Sequence, residues 1–172
     1  MLRGLIPDRA KRYHARYLAQ HVTHGAVGSG TWVDKFNPPL EDYEGAGLTA
    51  EFGRVPIKAV RYLIADPAGA LSYDGDPAKY RYCTQAEIDA AEALSLAPTN
   101  DVEFEFEIPA NSANGQTVCE VALFLDATCS VAGFATPAQV TQAGIPVYLC
   151  NLPGPDSLYA DKIFNRRCRL RT

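Results

Sequence analysis

The sequence predicts a mainly β protein: an antiparallel, sandwich-like domain with two short helices, an N-terminal helical arm and a C-terminal arm. Three segments carry that prediction. Residues 101–108 read DVEFEFEI, with the two-residue period of a strand. Phe104, Phe106 and Ile108 turn to one side, and Glu103, Glu105 and Glu107 turn to water. Residues 115–125 read GQTVCEVALFL, an apolar run of strand length reached through PANSANG, whose Asn114-Gly115 pair signals a hairpin-type turn. Residues 55–64 read VPIKAVRYLI, a β-branched run leading into the turn DPAG.

The other elements follow in chain order. Residues 8–23, DRAKRYHARYLAQHVT, suit the helix of an N-terminal arm spanning 1–24: no internal Gly or Pro, Pro7 just before it and Gly25 soon after. Tyr13, Tyr17, His21 and His24 share roughly one face, with His14 at its edge. Tyr13, Tyr17 and Leu18 on such a face call for a partner. From Gly25 to Gly53 the chain is rich in Gly and Pro yet carries Trp32, Phe36 and Tyr43, so an ordered loop region is expected. The GSG at 28–30 runs into TW without opening a helix after a strand, which argues against a phosphate-cradling loop. TQAEIDAAEAL (84–94) predicts a short helix with a capping box, Thr84 and Glu87. TPAQVTQAG (136–144) predicts another, with Thr136 as N-cap, Pro137 at the first helical position and Gly144 as the stop. PVYL (146–149) predicts a final strand, closing a β-rich domain over 25–150 before a basic C-terminal arm, 151–172.

The 172 residues suffice for one domain with a full core. A net charge of −4 argues against nucleic-acid phosphates as the partner. The charge is uneven. Arg3, Arg9, Lys11, Arg12 and Arg16 crowd one end, and Arg166, Arg167, Arg169 and Arg171 the other, so both ends could dock onto acidic surfaces. No apolar run approaches the ~18 residues that span a bilayer, and MLRGLIPDRAKR lacks the apolar core of an export signal. A protein made in a cytoplasm, outside the standard export route, is expected, with its five cysteines mostly reduced and buried.

Catalytic chemistry has little to start from. All three histidines lie in the first 24 residues, no GxSxG occurs, and no cysteine has a recognisable catalytic context. The carboxylates of LEDYEG and YDGD sit among Gly and Pro, as in solvated turns. Neither an enzyme nor a bound cofactor or metal is expected.

Two segments resemble a known group. GSGTWVDKFNPPLEDYEGAGLTAEFGRVPI looks like the pattern near the start of bacteriophage tail-collar fibre domains and related baseplate proteins, through Gly28, Gly30, Pro38, Pro39, Leu48, Glu51 and Arg54. GQTVCEVALFLDA resembles the second hallmark of that group, through Val118, Glu120, Val121, Ala122, Leu123, Phe124 and Asp126. The resemblance covers about 28–126. It implies a structural protein of the virion tail, commonly a trimer, that contacts other tail or baseplate proteins and a separate fibre. No repetitive shaft or receptor-binding tip is evident, which favours an adaptor or baseplate component. Two alternatives stand beside it. One is a carbohydrate-binding or hydrolytic β domain using Trp32, Tyr43, Tyr62, Tyr73, Tyr80 and Tyr82. The other is a fibre-assembly chaperone.

Two site expectations follow. Glu120 stands within apolar text, where a carboxylate needs a partner, and Arg54, from the other hallmark segment, is the expected one. Cys168, among Arg166, Arg167 and Arg169, is the expected reactive thiol and a candidate for an intersubunit disulfide.

Overall fold

The computed structural model describes residues 6–30, 48–73 and 76–172. The helices are α1 (Asp8–His21) and α2 (Gln85–Glu92). The strands are β1 (Val22–Gly28), β2 (Glu51–Ala65), β3 (Leu71–Tyr73), β4 (Asp76–Tyr82), β5 (Asp101–Ile108), β6 (Thr117–Leu125), β7 (Thr128–Cys129), β8 (Val140–Gln142), β9 (Ile145–Ser157) and β10 (Phe164–Arg171). The fold is mainly β, with a large antiparallel sheet and two α-helices. Its order is β10-β5-β2-β1-β6-β9, with β4 joined to β2 and β3; β7 and β8 form a second, two-stranded sheet. No helix among the described residues is long and apolar enough to cross a membrane.

The chain forms two compact units. The first gathers α1 up to Gln20 with Ala59–Phe104 and Arg167–Thr172; the second gathers His21–Lys58 and Glu105–Arg166. In the first unit, α1 turns Ala15 and Leu18 inward, both buried. Arg12 Nε donates to Ala97 O at 2.8 Å, and Thr172 Oγ1 donates to Lys11 O at 2.7 Å. The helix expected to be an arm is therefore bonded to its own chain, and Leu18 needs no outside partner. Tyr13 and Tyr17 do remain exposed, at 61% and 40%. Helix α2 carries its expected capping box, Thr84 with Glu87.

In the second unit, β6 is buried from Val118 to Leu125. Both its faces are covered, so it reads as a continuous apolar run rather than an alternating one. Phe106 and Phe124 are fully buried, each contributing about 1.5–3 kcal/mol in transfer terms.

Three segments differ from expectation. Val22–Gly28, assigned partly to the helix and partly to a loop, is β1, paired with β2 on one side and β6 on the other. Its glycines misled because they read as turn signals. A Cβ on Gly25 would sit 2.3 Å from the Phe106 ring, so the strand needs glycine for close approach, not for bending. Residues 136–144 hold a single 3-10 turn, Pro137–Gln139, before Val140 enters β8. Thr136 stands at the start of the turn as expected, its N donating to Gln139 Oε1 at 2.9 Å, but β-branched Val140 pairs with Cys129 instead of continuing a helix. Finally, the C-terminal arm contains a strand. In β10, Phe164 and Cys168 are buried while Arg167 and Arg171 are exposed. The arginines hid that alternation.

Candidate functional site

The hallmark residues converge. Across the sheet, Gly28 of β1 faces Glu51 of β2 and Glu120 of β6, and two rows away, past Gly53, Val27 and Val121, stand Arg54, Ala26 and Ala122. Opposite Val27 and Gly28 the register shifts and β2 carries one extra residue, Phe52, a bulge that lets Glu51 and Arg54, three apart in sequence, meet on one side of the strand. Glycine is required beside Glu120: a Cβ on Gly28 would lie 2.4 Å from Glu120 Oε1, and one on Gly30 would lie 2.9 Å from its carboxyl carbon. Two glycines thus make the slot that takes the buried carboxylate.

Glu120 does not pair with Arg54. Its Oε1 accepts from the Ala50 backbone N–H at 2.9 Å. Arg54 grips Glu51 with a fork, Nε to Oε1 at 2.5 Å and Nη2 to Oε2 at 2.9 Å. Its Nη1 donates to Ala143 O, and the guanidinium lies over the Phe124 ring at 3.7 Å. The register explains the difference. Arg54 stands two rows away from Glu120 and its guanidinium lies over Phe124, farther along the strand from Glu120, while Glu51 is close enough on the same strand for a bidentate pair. Glu51 takes the arginine expected for Glu120, and Glu120 takes a backbone amide in its place. Leu48 packs against the buried cluster of Ala26, Ala122, Phe124 and Ala127, and Leu123 is buried one position along the strand, on the other face. Pro38, Pro39, Trp32, Phe36 and Tyr43 lie outside the described residues.

A second polar cluster escaped the sequence reading. Glu103, expected in water, is fully buried. It accepts from the Tyr73 hydroxyl at 2.5 Å, the Tyr82 hydroxyl at 2.9 Å and Arg61 Nη1 at 3.2 Å. Burial, then the bond to Glu103, holds the Tyr73 hydroxyl far above the ordinary phenol range. Beside it, Asp101 accepts from Arg169 and Arg171, and Asp76 accepts from Arg169 and from the Tyr80 hydroxyl at 2.6 Å. The Tyr80 bond, then Arg169, keeps the Asp76 carboxyl well below its usual range. Of the tail arginines expected to seek acidic partners, Arg169 and Arg171 are thus engaged within the chain. The signal lay in Tyr73, Tyr80 and Tyr82: three hydroxyls near a strand of acids. As a sugar platform these tyrosines are poorly suited, since all three hydroxyls bind internal carboxylates and Tyr80 is 1% exposed.

No disulfide joins the described cysteines. Cys168 is 1% exposed, so its thiol cannot meet another subunit while β10 is in place, and the expected intersubunit bridge is not available to the folded chain. Burial pushes the Cys83 thiol up to about 11 and also raises Cys119. Among the described residues no group of three or more His, Cys, Asp or Glu is disposed to hold a metal ion. No protein-family model matches the chain, and no curated protein matches it.

Proposed function

We propose that the chain is a structural component of a bacteriophage tail, a baseplate or fibre-attachment adaptor that works through subunit contacts in the virion. The observation that carries the reading is the convergence of the two hallmark segments. Gly28, Gly30, Leu48, Glu51 and Arg54 come from one, and Glu120 and Phe124 from the other, some 70 residues on. They interlock as slot and carboxylate, fork and ring. In this reading the chain forms a homo-oligomer, a trimer by the resemblance, beside other tail or baseplate proteins and a separate fibre.

Mass spectrometry of purified particles from a phage encoding the chain tests it. Recovery in the particle in stoichiometric amount is expected. Absence from the particle, with fibres lost when the gene is deleted, would assign the chaperone role instead. Absence with no effect on particles would end the reading.

A further inference from the structure

Within the first compact unit, Arg12 of α1 and one side of α2 wall an open groove of about 320 Å³, near the lower end of the ~300–1,000 Å³ usual for small-molecule sites. Its lining is mainly apolar, with Ile64, Ala91, Leu94 and Pro98. The polar residues beside them are Glu87, Thr99, Cys83 and Arg12, and the first three have no charge to offer a ligand. Glu87 holds the Arg81 fork at 2.8 and 2.9 Å and accepts from Thr84 N at 2.8 Å. The Thr99 hydroxyl donates to Asp101 O at 3.1 Å and accepts from Asp101 N at 3.2 Å. The Cys83 thiol, pushed up to about 11 by burial, is neutral and extends the apolar wall. Arg12 differs. Its Nε donates to Ala97 O at 2.8 Å, which fixes the guanidinium at the groove, and among the described residues no acceptor takes its outer nitrogens.

We propose that this groove binds a small carboxylic acid with an apolar body, its carboxylate on the outer nitrogens of Arg12 and its body on Ile64, Ala91, Leu94 and Pro98. A guanidinium presents parallel N–H donors that match a carboxylate, a fork that an amine or an amide head cannot complete. Glu87 does not compete for Arg12, because its own carboxylate is taken by Arg81. The rest of the lining selects against sugars and polyols, whose hydroxyls would be covered without partners, and rewards apolar area removed from water. With no second cation among the lining residues, the single charge of a carboxylate fits better than the double charge of a phosphate. The inference goes beyond the structural reading above and does not depend on it.

Isothermal titration calorimetry on the purified full chain tests it with probes that share one tail and differ in the head: octanoate, octanamide and octylamine. Octanoate should bind with a millimolar or tighter dissociation constant, and the amide and amine about tenfold more weakly or worse. Arg12→Gln should weaken octanoate by about tenfold or more and leave octanamide unchanged. Ala90→Phe, which adds a ring to the groove wall from an exposed position, should abolish octanoate binding. Labelling of Cys83 by N-ethylmaleimide, read by peptide mass spectrometry, should slow with octanoate and not with octylamine. No binding of octanoate at millimolar concentration overturns the proposal, as does an amide or amine that binds equally well. So does a folded Ala90→Phe chain that binds like the unaltered one, or Cys83 labelling that bound octanoate leaves unchanged. Should Arg12→Gln disturb folding, the comparison of probes and Ala90→Phe decide. A chain found in particles yet indifferent to octanoate sinks this proposal and leaves the tail reading standing. A chain that binds octanoate and is absent from particles does the reverse.

Discussion

Replacing Arg54 separates the pairing seen in the structure from the pairing that the sequence suggests. The Arg54 and Glu51 side chains are 6% and 16% exposed, so the fork between them is mostly out of water. Arg54→Ala should destabilise the chain by about 3–5 kcal/mol, chiefly by leaving the Glu51 carboxylate unpaired. The loss of Ala143 O as a bonded acceptor and of the guanidinium over Phe124 adds to it. Glu120→Gln should cost about 1 kcal/mol or less, because an amide oxygen can still accept the Ala50 N–H. Double-mutant cycles in urea make the comparison direct. Arg54→Met with Glu51→Gln should show a coupling of about 1–3 kcal/mol, and Arg54→Met with Glu120→Gln one below about 0.5 kcal/mol. A coupling to Glu120 as large as that to Glu51 would refute the assignment of Arg54 to Glu51.

Tyr73→Phe should cost about 1.5–3 kcal/mol in denaturant unfolding, the range for a bond to a charged group; an unchanged midpoint would remove Glu103 as its acceptor. Gly25→Ala drives a Cβ into the Phe106 ring, 2.3 Å away. It should cost about 1–3 kcal/mol, and Phe106→Leu beside it should recover part of that. The Arg81 fork, then the Thr84 N–H, lowers the Glu87 carboxyl from 4.5 to about 2. A depressed folded-state value means that this stabilisation is complete above about pH 4.5 and is lost as the pH falls toward 2, so Glu87→Gln should flatten that limb of a melting-temperature profile. Cys168 should react with a thiol reagent only after unfolding, and the folded chain should run without crosslinks on a non-reducing gel; rapid labelling of native Cys168 would contradict its burial.

Local pattern was enough to place several elements. The acidic-apolar alternation of 101–108, the β-branched run of 55–64 and the Thr84–Glu87 box each act within a few residues, so each was legible from the sequence. The gathering of Gly28, Glu51, Arg54 and Glu120 was legible as a pair of motifs, and it identified groups that must be satisfied. Their partners were decided by register. A bulge in β2 opposite Val27 and Gly28 and a two-row offset between strands send Arg54 to Glu51 and leave Glu120 to a backbone amide. Glycines 25 and 28 spell a loop locally, but the chain holds them in a strand because side chains from β5 and β6 occupy the space of their missing Cβ atoms. Glu103 looks solvated on a strand with one wet face, and only the arrival of Tyr73 and Tyr82 from elsewhere in the chain closes that face. Composition and period report what a residue prefers when its neighbours in sequence are its neighbours in space; burial, pairing and thiol access depend on segments tens of residues away, and these only the tertiary structure brings together.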